Sequence, residues 1–235
     1  MMTNTEIIKS NWIRVNEEIE KAADLAGVKV PKLVVVTKKQ PIEVISAVIQ
    51  SGAVILGENY PEEAEEKIKF FADEHVEWHM IGNIQSRKAE IIAKNFSFVH
   101  SLDRYKVAHK IDQKVVSDGK LPVLLELNVS GEMSKSGIPA WEERHWADLL
   151  RVIDEIKQLS RIEVRGLMCM PPFDPDPENS RKHFVKLRKL MEFINRQLGM
   201  NLDELSMGTS FDYRIAIQEG ATFVRIGTAI TGERK

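Results

Sequence analysis

Short, nearly continuous apolar runs alternate along the chain with segments in which apolar residues recur at helical spacing. The clearest run is Leu33-Val34-Val35-Val36, a leucine and three valines with no polar residue among them. Such a run fits a strand buried on both faces, as in a parallel sheet. Further strand-like stretches lie at Ala53 to Leu56, Val76 to Ile81, Phe96 to His100, Pro122 to Asn128, Ile162 to Met170, Leu205 to Gly208 and Ala221 to Ile226. Each but the last is followed by a helical pattern. Pro41 suits a first turn ahead of Val44, Ile45 and Val48. Glu62, Glu63, Glu65 and Glu66 precede Lys67 and Lys69, the order that a helix dipole favours. Helices are likewise predicted from Arg87 to Lys94, from Arg104 to Ser117, around Trp146 to Ile156, over a long stretch ending at Leu198-Gly199, and from Arg214 to Gln218.

An additional helix opens the chain. Thr3-Asn4-Thr5-Glu6 has capping-box spacing, Ile8, Trp12, Val15, Ile19 and Ala22 follow at helical intervals, and Gly27 stops the pattern. Eight strands alternating with helices predict one closed α/β barrel, the (β/α)8 TIM barrel, as a single domain over residues 1–235 with an extra N-terminal helix. A doubly wound open sheet is the alternative. It is weakened because no Gly-x-Gly-x-x-Gly turn follows the first strand.

Composition narrows the function classes. With 235 residues and 43% apolar content the chain can bury a sizeable core, and a formal charge of -2 makes no electrostatic case for nucleic acid or an anionic membrane. The single cysteine, Cys169, excludes an internal disulfide and suits a reducing compartment. No signal-like opening and no membrane-length apolar run is visible, so a cytoplasmic protein is expected.

The candidate chemistry sits where the strands end. Lys38 follows the first strand, at the end of a barrel where ligands bind, and a desolvated lysine crowded by a second cation can attack a carbonyl as the neutral amine. Near the C-terminus, Ser206-Met207-Gly208-Thr209-Ser210 and Arg225-Ile226-Gly227-Thr228 end adjacent predicted strands. Glycines there let backbone N–H groups approach an anion, and Ser210 and Thr228 add hydroxyl donors, so a phosphate site is expected. Arg225 supplies a cation, or else a structural partner for a carboxylate. His75 and His79 have no metal-ligand spacing, so no metal site is expected; Cys169, between Met168 and Met170, reads as a packed residue. Trp12, Trp78, Trp141 and Trp146 read as packing residues. A small aldehyde phosphate satisfies both a lysine on one side of a barrel mouth and an anion site on the other, and pyridoxal phosphate (PLP) is such a molecule.

Several motifs, in this order, carry a specific resemblance: Val36-Thr37-Lys38, Gly57-Glu58-Asn59-Tyr60, Trp78-His79-Met80-Ile81-Gly82, Gln85-Ser86-Arg87-Lys88, Ser134-Lys135-Ser136-Gly137, Arg165-Gly166-Leu167-Met168, Ser206-Met207-Gly208 and Val224-Arg225-Ile226-Gly227-Thr228. Over essentially its whole length the chain resembles the pyridoxal phosphate homeostasis proteins, short relatives of the alanine racemase N-terminal barrel. Thr37 stands where that family usually has serine.

The resemblance implies that Lys38 carries PLP as a Schiff base and that Asn59 lies beside it. It also implies that Ser210, Gly227 and Thr228 hold the phosphate and that Arg225 faces the pyridine nitrogen. It further implies a protein that holds and releases PLP without efficient amino-acid chemistry, with no catalytic residue assigned and apo PLP-dependent enzymes as conceivable recipients. Alanine racemases of this barrel class take a tyrosine acid/base from a separate C-terminal β-domain. Here the chain ends nine residues after Ile226, so that domain is expected to be absent, leaving Tyr60, Tyr105 and Tyr213, of which Tyr60 could enter the mouth. Two alternatives stay open: a small PLP-dependent racemase or lyase, and a PLP-free Schiff-base barrel enzyme acting on a phosphorylated substrate.

Overall fold

The structure, a computed structural model, describes residues 3–232. Helix α1 (Asn4–Ala26) opens it, followed by β1 (Lys32–Val36), α2 (Ile42–Gln50), β2 (Ile55–Glu58), α3 (Pro61–Phe70), β3 (Glu77–Met80), α4 (Ala89–Asn95), β4 (Phe98–Leu102), α5 (Tyr105–Asp112) and β5 (Leu121–Asn128). The second half runs β6 (Ile138–Pro139), α6 (Trp146–Lys157), β7 (Ile162–Met168), α7 (Arg181–Leu198), β8 (Glu204–Thr209), α8 (Tyr213–Gln218), β9 (Phe223–Ile226) and α9 (Thr228–Thr231). The strands pair in the order β4-β3-β2-β1-β9-β8-β7-β5, and β4 pairs with β5 to close the ring. Every pairing is parallel. This is the eight-stranded (β/α)8 barrel that the alternation predicts. The two-residue β6 is a spur on β5, pairing Leu127 with Ile138 and Asn128 with Pro139.

Side chains alternate across each strand, so the barrel has two apolar layers. Val35, Leu56, Trp78, Met80, Val99, Leu205, Met207, Val224 and Ile226 point outward into the large core shared with the helices. Val34, Val36, Ile55, Ile81 and Phe223, with Phe98 against them, form a smaller cluster inside the barrel. The valine run of β1 is thus buried on both faces, as its sequence predicts.

The Thr3 capping box forms: the Thr3 hydroxyl accepts from Glu6 N at 3.3 Å, and Thr3 N donates to the Glu6 carboxylate at 2.7 Å. Gly27 ends α1 at φ 65°. Helix α1 then braces the last two βα units. Asn11 donates to Ile230 O at 3.1 Å, Arg14 donates to Ala229 O at 3.0 Å, and Tyr213 donates its hydroxyl to Glu18.

The differences from the predicted elements are local. Helix α5 stops at Asp112 instead of reaching Ser117, because Val115-Val116-Ser117-Asp118-Gly119 is poor in helix formers. Strand β7 ends at Met168, two residues early, and β9 starts at Phe223, because the Ala221 N–H still closes the end of α8 on Ala216 O. The spur β6 and the four-residue α9 are too short to show a period.

Candidate functional site

At the C-terminal end of the barrel, a cavity of ≈ 260 Å³ is lined by Val36, Lys38, Asn59, Ile81, Met170, Thr209, Ser210, Phe211, Arg225, Gly227 and Thr228. All six residues expected around a ligand are in that wall: Lys38, Asn59, Ser210, Arg225, Gly227 and Thr228. The sequence does not assign the apolar members Val36, Ile81, Met170 and Phe211 to a ligand, because nothing local separates a strand-end residue that faces a cavity from one that faces a helix.

Lys38 sits on a tight turn directly beyond β1, and that turn is held from several sides. Thr37 N donates to Gly57 O at 3.0 Å, and the Thr37 hydroxyl donates to Glu58 Oε1 at 2.7 Å. The Lys67 ammonium donates to Thr37 O and to Glu58 Oε1, both at 2.8 Å, and to Glu63 Oε1 at 2.6 Å. Lys67 is only 5% exposed. In the sequence it stands late in a helix, where the dipole favours a cation, and in the fold the strand-end turn and Glu58 close over it. Glu58 faces outward from the barrel into this contact, and burial pushes its carboxyl up while Lys67 pulls it back down.

Lys39 follows at φ 57°, a left-handed conformation that costs a non-glycine residue about 1–2 kcal/mol. Its N–H donates to Glu63 Oε1 at 2.6 Å, and its ammonium lies 5.7 Å from the centre of the Tyr60 ring. Lys39 therefore points away from the cavity wall. The second cation in that wall is Arg225.

Asn59 follows β2, and its side-chain Oδ1 is buried without a hydrogen-bond partner among the described residues. Its backbone is approached so closely by Gly82 that a Cβ at position 82 would lie 2.5 Å from Asn59 O. The Ser210 turn is set by Gly208, at φ 88°, and by buried Asp212. The Asp212 Oδ1 accepts from Thr209 N at 2.7 Å and from the Thr209 hydroxyl at 3.0 Å. Ser210 Oγ accepts from Gly227 N at 3.2 Å and from Ala229 N at 3.4 Å, tying the loop after β8 to the loop after β9. The Gly227 N–H, expected to face an anion, is thus engaged with Ser210. The Ser210 hydroxyl hydrogen and the Thr228 hydroxyl are the side-chain donors of this corner.

Arg225 is 3% exposed, and burial lowers its pKa from the usual arginine range. Its guanidinium donates to Ser206 Oγ at 2.6 Å and to Cys169 O at 2.9 Å, with Met170 Sδ at 3.7 Å. Cys169 is buried, and burial pushes its thiol up to about 12. It is a packed residue, as its neighbours predict. Trp78 and Trp146 are buried in the outer core. Among the described residues, no group of three or more His, Cys, Asp or Glu side chains is placed to hold a metal ion, and no helix is long and apolar enough to cross a membrane.

None of the three tyrosines lines the cavity. Tyr60 is 46% exposed at the start of α3, Tyr105 stacks on His109, and Tyr213 is buried against Glu18, with its phenol pushed up to about 12 by burial and by that carboxylate.

The family model described as alanine racemase, N-terminal domain, matches residues 10–235. The pyridoxal phosphate homeostasis protein of Vibrio cholerae is 38% identical over 97% of this chain and 96% of its own length. The chain belongs to this family. Its counterpart in Aquifex aeolicus, also a pyridoxal phosphate homeostasis protein, is 37% identical over 94% of this chain and 96% of its own. Among solved structures, PipY of Synechococcus elongatus, determined with PLP bound, superposes with a TM-score of 0.82 at 26% identity, covering 96% of this chain and all of PipY. The alanine racemase of Clostridium difficile shares the barrel at a TM-score of 0.73 and 16% identity. The family member described here spans 56% of that longer chain.

Proposed function

We propose that the chain binds PLP as one domain and holds and releases it in intracellular vitamin B6 homeostasis, in the cytoplasm, without efficient amino-acid turnover. One observation carries this reading. A single cavity wall joins the strand-end amine of Lys38 to the Ser210 and Thr228 hydroxyls, with Asn59 and Arg225 in the same wall. The residues fit the cofactor on the structure's own terms. Asn59 keeps a buried Oδ1 unsatisfied, the kind of group that a polar ligand completes. Val36, Ile81, Met170 and Phe211 offer apolar contact to a planar ring. The hydroxyl corner offers neutral donors to an anion.

When bound, PLP supplies an aldehyde that condenses with an amine and a ring that withdraws electrons. Lys38 is the amine. Ser210 and Thr228 donate to the phosphate, with Gly227 setting the backbone beside them. Arg225 can only donate hydrogen bonds and stays charged, so it favours an unprotonated ring nitrogen and leaves the ring a modest electron sink.

Racemisation needs acid/base groups on both faces of a substrate. Lys38 can serve one face, and the position of the tyrosines outside the cavity wall supports storage over turnover. The curated relatives named for PLP homeostasis support the same reading. Apo PLP-dependent enzymes are the recipients that fit a reversibly loaded site.

The deciding experiment is borohydride reduction of the PLP-loaded protein followed by peptide mapping. The label is expected on Lys38, while the same preparation transfers PLP to an apo-enzyme and leaves the α-hydrogen of amino acids unexchanged. A label on Lys39 with Lys38 unmodified, or robust racemisation, would overturn this reading.

A further inference from the structure

A column of buried polar side chains runs through the barrel interior beneath the cavity. Ser206 Oγ, which accepts from Arg225, lies 2.8 Å from His100 Nδ1. His100 Nε2 lies 3.0 Å from His79 Nδ1, and His79 Nε2 lies 3.3 Å from the Glu77 carboxylate. Ser206 and His100 are fully buried and His79 is 1% exposed, whereas the Glu77 side chain is open to solvent. The two imidazoles are packed by Phe98 and Phe223, with ring centres 4.9–5.8 Å apart. Lys32, over the Phe223 ring and paired with Glu204 at 2.9 Å, joins Glu77 at the N-terminal end of the barrel.

The direction of every bond follows from its ends. A guanidinium has no acceptor, so Ser206 Oγ must accept from Arg225; a carboxylate has no donor, so His79 Nε2 must donate to Glu77. Burial lowers the pKa of both histidines, so each is neutral and carries one ring proton. With its proton on Nε2, His79 accepts at Nδ1. His100 therefore donates from Nε2 and accepts at Nδ1, and the Ser206 hydroxyl donates to it. The two ends demand the same polarity, and each ring nitrogen of the two imidazoles has one partner.

We infer that Ser206, His100 and His79 are positioning residues for Arg225: a one-way donor chain, Arg225 to Ser206 to His100 to His79 to Glu77, holds the guanidinium in the cavity wall against neutral acceptors only. The chain is not a proton path into the cavity, because its member at the cavity end, the Arg225 guanidinium, keeps its protons. Its consequence is specificity. Among the described residues no carboxylate touches Arg225, so its charge is available to the ligand, and the ring edge placed there must present an acceptor. This second step rests on the PLP reading above.

The test has two arms. In the cofactor-free protein, ¹⁵N-histidine spectra are expected to show His79 and His100 neutral, both protonated at Nε2, and unchanged across neutral pH. A proton on Nδ1 of either ring, or a charged His100, would overturn the chain.

In the second arm, Ser206→Ala is expected to leave His100 in mixed tautomers and to shift the absorption maximum of bound PLP. It should also weaken PLP and unphosphorylated pyridoxal alike, by about tenfold, one charge-assisted hydrogen bond at the ring end. Ser206→Thr, which keeps the hydroxyl, is expected to restore the His100 tautomer. Unchanged tautomer and unchanged spectrum in Ser206→Ala would overturn the positioning role. Failure of PLP to attach to Lys38 would instead sink the cofactor reading and leave the spectra of the cofactor-free protein as the measure of the column.

Discussion

The protein buries two cations close to the same cavity and satisfies them in opposite ways. Lys67, beneath the Lys38 turn, contacts Glu58 at 2.8 Å and Glu63 at 2.6 Å, so its charge is cancelled where it stands. Arg225 contacts a serine hydroxyl, a backbone carbonyl and a thioether. Glu126 and Asp212 act on it only through space. Taking an ion out of water costs several kcal/mol unless a counter-charge offsets it. A cation with two carboxylates is therefore a structural tie, and here it fixes the turn that presents Lys38. A cation held by neutral acceptors keeps its field for whatever enters the cavity. The same charge type serves stability in one place and recognition in the other.

The sharpest way to break that comparison is to remove each cation in turn. Lys67→Met strands Glu58 in an apolar environment and is expected to cost roughly 3–5 kcal/mol of unfolding free energy, read from the urea midpoint. Adding Glu58→Gln should recover most of it. Arg225→Met breaks no direct contact with a carboxylate but leaves Ser206 Oγ and Cys169 O without their donor, and is expected to cost about 1–3 kcal/mol, less than Lys67→Met, while altering PLP binding. Equal destabilisation by the two single variants would erase the distinction.

A smaller effect separates the phosphate corner from the ring end. Thr228→Ala is expected to weaken PLP by roughly 1.5–3 kcal/mol, one hydrogen bond to a charged group, and to leave unphosphorylated pyridoxal unaffected. Titrating both ligands against the variant checks it; equal weakening of the two would show that this hydroxyl does not read the phosphate.

The smallest expected effect is on pH dependence, where the groups around Arg225 work against each other. His79 and His100 stay neutral in the folded state, so protons are taken up by the unfolded chain first. Stability from this pair is present above the ordinary histidine value of 6.5 and is lost as pH falls below it. Glu126 runs the other way. Burial, reinforced by Asp103 and opposed by Arg225, pushes it from 4.5 up to about 7, so its contribution is full below 4.5 and lost as pH rises through about 7. The two slopes offset in the native protein. Glu126→Gln removes one of them, and its stability, measured by urea unfolding across this range, should fall steadily on acidification. A flat profile in that variant would mean that the histidines are not held neutral by the fold.

The barrel was legible in the sequence because each strand is a short apolar run and each following helix a period, and these signals are local. Lys38, Ser210, Arg225 and Thr228 were legible for the same reason: they stand in or just beyond such runs, and a barrel puts those ends together. Asn59 carried no local signal and was reached only through family resemblance. The burial of Lys67 had no local signal, since a lysine four residues after Glu63 is equally the pattern of an exposed helix face. Its burial depends on Thr37 and Glu58, which belong to other elements.

The sequence by itself determined the alternation, the capped first helix, and which residues stand where strands end, because propensity and periodicity act over a few neighbours. Only the tertiary structure decided that His79, Phe98, His100, Ser206, Phe223 and Arg225 share one interior. Strand alternation can turn each of them inward, but which inward residues meet depends on ring closure and on the register of β3, β4, β8 and β9. His79 and Ser206 lie more than a hundred residues apart, and no local spacing encodes their meeting on opposite sides of His100. The polarity of that column depends on its two ends as well, a donor-only guanidinium and an acceptor-only carboxylate, and so exists only once the barrel has closed around it.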